Sequence, residues 1–464
     1  MKKIAIIGAG ISGLFIANLF KKNSDYQVVI YEKNNSINLE EGYGIQLSVN
    51  SVKLLNEIEF NKFENARKFN PKKIIFFSSK NFKKICDLNI SDFNSENCQY
   101  TTLKRSDLIN FLKKDIENLI KFNHNVSSIN KENQKIQLTF ENNEIFECDY
   151  LIISDGVFSK SRSLISNNKS QPKYNNTLAI RGKITNFSEI DNENISLFLG
   201  SDFHQVIYPV NQNGDLNFIA IMKYELTLEQ QKNYSLFKEN SFIRKVLEKV
   251  PKENKEFFDK IQELKIFPVF VSKDFFKTND DNINFIGDAF FAFPPSFAQG
   301  ASQSIEGAYE LYKSIENNSE GNFFKNRVIK TKMVYNRSKL NQFAFHVSNP
   351  VIVFFRNMGL KILTKNKTFL ENYLGKIKEN PIAVPELEED LTNLPDTIIC
   401  TAEIDPLASD GIKFVKKLKD NSVNVSHIVA KNLVHGFIRF REKNSPSEHY
   451  FQLICKEIIK IIEK

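Results

Sequence analysis

The chain contains no tryptophan, which excludes the Trp-rich signature of flavin halogenases, and only five cysteines among 464 residues. Cys86, Cys98, Cys148, Cys400 and Cys455 are odd in number, far apart, and form neither a Cys-x-x-Cys pair nor a zinc spacing. That leaves no redox-active dithiol of the disulfide-reductase type, suits a reducing compartment and assigns the thiols to packing. No stretch reaches the roughly eighteen uninterrupted apolar residues of a membrane helix. Lys2-Lys3 followed by an apolar run resembles a secretory signal, but glycines interrupt that run, no small-residue cleavage site precedes Lys21-Lys22, and the next residues continue as a strand. The expectation is a soluble, cytoplasmic protein. The net charge of +8 comes from Lys and Arg spread among Asn and Glu, a solvated surface rather than a nucleic-acid face. The abundance of Lys, Asn, Ile and Phe carries no chemical message. The length allows two to three domains with a large core.

What is present begins at the N-terminus. The apolar run Ile4-Ala5-Ile6-Ile7 leads into Gly8-Ala9-Gly10-Ile11-Ser12-Gly13, and Glu32 closes the next strand-like run, Gln27–Tyr31. Gly8 allows a tight strand-to-helix turn, Gly10 lets the backbone approach a pyrophosphate held at a helix N-terminus, and Gly13 lets helix and strand pack closely. Glu32 lies 19 residues beyond Gly13, where a carboxylate accepts ribose hydroxyls. The pattern predicts a dinucleotide site in an α/β fold.

Further along, Gly42 and Gly44 mark a loop with close backbone approach, followed by a helix through Val52, Leu54, Leu55 and Ile58. Residues 74–77 and 85–90 read as strands, and Arg105 opens a helix with Leu108, Ile109, Leu112 and Ile116 on its apolar face. Residues 136–140 and 145–153 are strand-like, and short strands dominate from about 172 to 275 (178–184, 195–199, 205–210, 216–222). A strand at 284–286, the loop Gly287-Asp288 and a long helical stretch from Gln303 to about Lys376 follow. The predicted organisation is a nucleotide-binding domain in two parts (1–171, including some sheet-domain strands near 74–100, and 276–378 with the C-terminal helices). A mixed-sheet substrate domain (172–275) is inserted between them, and a small βαβα segment (379–464) ends the chain.

Three motifs occur in order: Gly8-x-Gly10-x-x-Gly13, Asp155-Gly156-x-x-Ser159-x-x-Arg162, and Gly287-Asp288-Ala289 followed by Pro294-Pro295 and Gln299-Gly300-Ala301. Together they resemble the class A FAD-dependent aromatic monooxygenases, the para-hydroxybenzoate and salicylate hydroxylase group, over roughly residues 1–376. The resemblance implies that Gly8, Gly10, Ile11, Ser12, Gly13, Glu32 and Lys33 hold the ADP half of FAD, with Gly44, Ile45 and Asp155 also at the cofactor. It places Arg105 near the phosphates and Gly287-Asp288 at the ribityl chain. The resemblance also implies that Pro295, Gly300, Ala301 and Ser302 lie in a loop against the isoalloxazine, where backbone amides at the helix start would favour negative charge on reduced flavin. Three positions depart from the usual pattern: Phe291 where a histidine is common, Ala298 in place of the first glycine of Gly-Gln-Gly, and Gly307 in place of an aspartate.

The implied activity uses NADPH or NADH as a transient co-substrate, and O₂, to hydroxylate a small aromatic or conjugated apolar compound through a flavin C4a-hydroperoxide. The absence of a second Gly-x-Gly-x-x-Gly fits transient nicotinamide binding and argues against Baeyer–Villiger enzymes. Substrate contacts are expected from the inserted sheet, with Arg181, His204, Gln205 and Tyr208 as candidates; Arg181 resembles a recurrent arginine of the family and His204 is a candidate base for a phenol. No metal is expected.

From about Asn380 the character changes. Asp405-Pro406-Leu407 and His435-Gly436-Phe437, 30 residues apart from Asp405 to His435, resemble the last part of hormone-sensitive-lipase-type α/β hydrolases. The resemblance makes Asp405 and His435 members of a triad. No Gly-x-Ser-x-Gly elbow and no His-Gly-Gly segment appears, so the pair has no nucleophile to activate. The expectation is an inert, fused fragment. Two other functions remain open: an esterase completed by a partner that supplies the serine, and a flavin-binding oxidoreductase or interaction module without hydroxylation.

Overall fold

A computed structural model describes residues 1–37, 39, 43–132, 135–165, 171–184, 191–373, 391, 394–405, 408–434, 437–439, 442 and 444–462. The glycine-rich start feeds an all-parallel five-stranded sheet in the order Ile283–Phe285, Tyr150–Ile153, Lys2–Ile7, Tyr26–Tyr31, Ile120–Lys121. Its central strand is covered on both faces, and Ile4, Ala5 and Ile6 are fully buried, as continuous apolar runs in parallel sheets require. Helices Ile11–Lys21 and Gly300–Glu316 share the core on one side, where Leu14, Phe15, Phe20, Ile305 and Leu311 meet. On the other side lies an antiparallel sheet of Val126–Glu132, Lys135–Phe140 and Ile145–Cys148, with Ile136, Leu138 and Phe140 facing inward.

The apolar stretch 145–153 is therefore two strands in two sheets. The switch falls at Asp149, whose carboxylate accepts the Lys3 N–H at 2.7 Å while its own N–H donates to Lys3 O at 2.8 Å. Asp149 thereby pins the chain to the edge of the first strand as it changes partners.

The second large sheet has seven strands, in the order Gln262–Val271, Lys173–Ile184, Leu216–Lys223, Phe203–Pro209, Ile195–Leu199, Lys73–Ser78, Lys84–Asn89. Neighbours are antiparallel except Ile195–Leu199 against Lys73–Ser78. One face packs Leu178, Ile180, Phe203, Ile207 and Phe218 under two short helices, Asn240–Glu248 and Lys255–Asp259; these and the helix Leu228–Lys232, which has no buried residue, the strand-dominated reading of 172–275 did not foresee. The strand period of two puts Arg181, His204, Val206, Tyr208 and Ile219 on the opposite face.

The helical stretch expected from Gln303 to about Lys376 consists, among the described residues, of four helices: Gly300–Glu316, Glu320–Phe345, Pro350–Leu363 and Lys367–Tyr373. The break before Pro350 has a clear cause. Asn349 accepts the N–H groups of Val351 and Ile352 at 2.9 and 3.3 Å, and Pro350 occupies the first helical position.

Residues 1–375 form one compact unit and 376–464 a second. The second contains the parallel pair Thr397–Ile404 and Val425–Val434, joined by helix Ala408–Asp420 and followed by helix Pro446–Ile462. Its buried clusters are small: Leu391, Leu418 and Val423 in one, Ala402, Ala430 and Phe437 in the other. Among the described residues no helix is long and apolar enough to cross a membrane, and no group of three or more ligating side chains could hold a metal ion.

Candidate functional site

The three motifs meet beyond the C-terminal ends of the parallel strands, the crevice in which α/β sheets of this kind bind ligands. Gly8 has φ +99°, and a Cβ there would sit 2.6 Å from Ser154 O. At Gly13 a Cβ would lie 2.2 Å from Gly8 O and 2.5 Å from Ser154 Oγ. Both glycines are fixed by packing. Gly10 differs: a Cβ there would meet nothing within 4 Å, so the helix that starts at Ile11 has open space before it. That helix has no side-chain cap and no acid in its first turn, and Ser12 is buried within it. Its free N–H groups and dipole favour an anion.

Glu32 turns toward this loop. Its carboxylate accepts Ala9 N–H at 3.1 Å and Asn34 N–H at 3.0 Å, which orients it beside the glycines; Lys33 next to it is exposed.

In the second motif, Asp155 Oδ2 accepts from Ser161 N and Oγ at 3.2 and 2.8 Å, capping the short helix Ser161–Ile165. Asp155 Oδ1 and Ser159 Oγ are buried without a partner, two orphaned polar atoms at the cleft. Arg162, 6% exposed, reaches across to the third motif, where Nε donates to Ala289 O at 3.1 Å.

Gly287 adopts φ +61° and lies against Ser12, so the third motif rests directly on the first. Asp288 is solvent-accessible yet surrounded by protein, the signature of a residue lining a concave cleft. Desolvation there pushes its carboxyl up to about 6, with Arg105 and Arg162 opposing the rise. Arg105 is held by its own N–H donating to Tyr43 O at 2.9 Å.

The loop from Pro294 forms a turn at Pro295–Phe297, and Ala298 takes φ +52°. Glycine adopts this left-handed conformation without the steric cost that the Ala298 Cβ carries. Gly300 opens the next helix with no side-chain cap, no acid in the first turn and open space where a Cβ would point. Ser302 is fully buried, and its hydroxyl accepts Ser48 N–H at 3.1 Å, so its side chain braces the helix Val49–Asn56. Ala301 stands half-buried beside it.

The strand Gly44–Leu47 connects this crevice to the seven-stranded sheet. Gly44 N–H donates to Asn217 Oδ1 at 2.7 Å, and a Cβ on Gly44 would lie 2.6 Å from that side chain. Gln46 accepts the Tyr100 hydroxyl at 2.7 Å, and Gln46 and Asn217 lie beside the Tyr208 hydroxyl, where both favour its charged form against the opposing effect of burial. Ile45 packs against the core of the parallel sheet. Burial pushes the Tyr100 and Tyr208 hydroxyls upward, so both remain neutral donors.

Arg181 shares a sheet face with Tyr208 across the intervening strand, where Arg181 pairs with Ile219 and Tyr208 with Asn217, and desolvation lowers the pKa of Arg181. Its guanidinium has no carboxylate partner among the described residues. Sequence reasoning named Arg181 and Tyr208 but missed Gln46, Tyr100 and Asn217; the polar Asn217 within an otherwise apolar strand, Leu216–Lys223, was the available signal.

His204 and Gln205 do not join this cluster. His204 is 2% exposed, its Nδ1 lies 2.7 Å from His346 Nε2, and the Phe345 ring covers it. Four strand positions put it about 13 Å from Tyr208. Gln205 is fully buried and shares the opposite face with Phe203 and Ile207, where both its amide atoms lack a partner.

A sequence profile described as "FAD binding domain" matches residues 1–322. The chain belongs to the FAD binding domain family. The residues of this crevice fit that cofactor: two uncapped helix starts without acids, open space at Gly10, Gly156 and Gly300, and the orphaned Asp155 Oδ1 all accommodate a phosphorylated, hydroxyl-rich ligand. A salicylate hydroxylase of Pseudomonas putida is 24% identical over 342 residues, 67% of this chain and 75% of that protein. Solved folds agree. HpxO of Klebsiella pneumoniae, complexed with FAD and uric acid, superposes with TM-score 0.70 at 15% identity, over 79% of this chain and 95% of that one. A salicylate hydroxylase substrate complex gives TM-score 0.65 at 17% identity, over 80% and 95%.

A second profile, described as "alpha/beta hydrolase fold", matches residues 356–439. An arylesterase of Saccharolobus solfataricus is 37% identical over 59 residues, 13% of this chain and 19% of that enzyme. Asp405 directly follows the strand Thr397–Ile404, and its carbonyl accepts Ala408 N–H at 3.0 Å. His435 lies outside the described residues, so its relation to Asp405 is not part of the geometry.

Proposed function

We propose that this chain is a cytoplasmic FAD-dependent monooxygenase that uses NAD(P)H and O₂ to hydroxylate a small aromatic or conjugated substrate carrying an acidic group. The observation that carries the reading is Arg181: a desolvated guanidinium without a carboxylate partner among the described residues, on the same sheet face as Tyr208, whose hydroxyl lies beside Gln46 of the strand Gly44–Leu47. An unpaired cation in such a place is costly, and an anionic substituent of the substrate would pair with it.

Bound FAD would supply electron transfer from the nicotinamide and the activation of oxygen. The protein's part is binding and orientation. The loops at Gly8–Gly13 and Gly300–Ser302 would offer backbone N–H groups to the pyrophosphate and to the flavin edge, and Glu32 and Asp288 would accept ribose and ribityl hydroxyls. Arg105 stands beside Asp288 and would meet the phosphates. Arg181 and Tyr208 would orient the substrate ring against the cofactor, Tyr208 as a neutral donor. His204, engaged with His346, is assigned no proton transfer. We assign the cofactor to 1–171 and 276–378 and the substrate to 172–275. The segment 379–464 is assigned no hydrolytic step, because no Gly-x-Ser-x-Gly is present.

The test mixes FAD-loaded protein anaerobically with NADPH or NADH and follows bleaching of the flavin band with and without a panel of phenolic and quinoid acids. Acceleration by one acid, with a hydroxylated product after air is admitted, establishes the reading. In Arg181→Met the KM for that acid rises at least about tenfold, while its neutral amide is less affected. No reduction with either nucleotide overturns the proposal in favour of a flavin-binding module.

A further inference from the structure

The helix Pro350–Leu363 is fixed to the body on one side only. Leu360 packs against the cluster of Ile85, Leu88 and Leu197, and the Arg356 guanidinium donates to Ala344 O at 3.2 Å, so the helix is a docked element with a defined outer face. That face is apolar. Val351, Phe355, Met358 and Ile362 recur at helical spacing and are exposed, with Phe354 at 64% and Ile362 at 61%. Leu340 and Phe343, on the last turns of the preceding helix, are exposed as well. An outward face on a water-soluble body is ordinarily polar, and an apolar stripe of this kind marks an interaction surface.

The chain segment that carries it is basic. From Gly321 to Leu370 the sequence has ten lysines and arginines and not one aspartate or glutamate, although the whole chain is only +8. Lys339, Lys361, Lys365 and Lys367 are exposed and have no carboxylate partner among the described residues.

We propose that this face docks on an anionic lipid bilayer surface, with the helix lying in the plane of the interface. Apolar side chains at the centre and lysines at the margin match acyl chains and anionic headgroups respectively. Spanning is excluded by length and charge: 14 residues rise about 21 Å, and Arg356 and Lys361 lie within them. A second copy of the chain is disfavoured, because an isologous dimer through this face would set the same cations against each other. The proposal does not depend on the oxygenase reading.

The test uses the full-length FAD-loaded protein in co-sedimentation with vesicles of phosphatidylcholine alone, or of phosphatidylcholine with one-third phosphatidylglycerol. Binding to the phosphatidylglycerol vesicles only, weakened by salt, is the expected result. Lys361→Gln/Lys365→Gln lowers the partition roughly twentyfold, each lysine near the surface contributing about a fivefold factor. Phe355→Ser/Ile362→Ser abolishes it, and an unchanged flavin spectrum in both variants shows that the fold is intact. No partition into the phosphatidylglycerol vesicles overturns the proposal. So does equal binding to both vesicle types that neither variant alters. A concentration-dependent dimer that Phe355→Ser/Ile362→Ser dissociates, without vesicle binding, overturns it in favour of a second copy.

Discussion

Arg162 donates from Nε to the carbonyl oxygen of Ala289 at 3.1 Å, joining the second nucleotide motif to the third. Ala289 is fully buried, so no water replaces that donor when the guanidinium is removed. Arg162→Met is therefore expected to cost about 2 kcal/mol of stability and to weaken FAD binding by releasing the turn that carries Asp288. Arg162→Lys does not restore either property, because a single ammonium cannot reproduce the fork. Chemical denaturation and fluorescence titration with FAD measure both.

Gly10 and Gly13 separate binding from folding. Gly10 has φ −83° and ψ −176°, which alanine adopts without strain, and its Cβ would enter open space. Gly10→Ala should melt within about 0.5 kcal/mol of the parent yet bind FAD at least about tenfold more weakly. Gly13→Ala drives a methyl against Gly8 O and should lose about 3 kcal/mol even without cofactor. Comparable apo stability in the two variants would contradict the assignment.

His204 and His346 predict an acid-sensitive fold. Desolvation holds His346 at about 4 and His204 well below its ordinary value, with Asp202 raising and Lys223 lowering His346. Unfolded histidines take up protons near 6.5, while the folded pair resists until lower pH. The neutral pair's contribution is thus complete above about 6.5 and declines as pH falls toward 4, by up to about 3 kcal/mol for His346. Replacing both histidines with leucine should flatten the pH dependence of the melting temperature across that window. A slope unchanged by the double replacement would assign the acid sensitivity elsewhere.

Ala298 carries local strain at φ +52°. Ala298→Gly relieves about 1 kcal/mol of steric cost against a smaller loss from the more flexible unfolded chain, so the melting temperature should rise slightly. A fall would show that the turn tolerates its methyl.

The glycines and acids of the cofactor crevice were legible in the sequence because each is required locally: a positive φ at Gly8 and Gly287, a carboxylate ending a strand at Glu32. The proposed substrate side was legible only in part. Arg181 and Tyr208 could be picked out as polar residues on predicted strands, but Gln46 and Asn217 reach them through pairings between distant segments that no local pattern announces. The same holds for His204 and Gln205, adjacent in sequence and sent to opposite faces by the pleat. Gly307 in the helix Gly300–Glu316 is a third case. A Cβ there would lie 2.9 Å from Arg327 Nε, and only the fold shows that a buried guanidinium from the next helix occupies the room.

The parallel pairing of Lys73–Ser78 with Ile195–Leu199 has a consequence for how the protein is made. The hairpin that contributes the first of these strands leaves the ribosome more than a hundred residues ahead of its partner, a wait of roughly ten seconds at ordinary elongation rates. During that interval its edge is open, and the intervening chain is building the nucleotide-binding half. The seven-stranded sheet is therefore not a cassette that can be exchanged as one contiguous piece; a graft that swaps residues 172–275 alone brings a foreign edge to a resident hairpin, and its success depends on that seam.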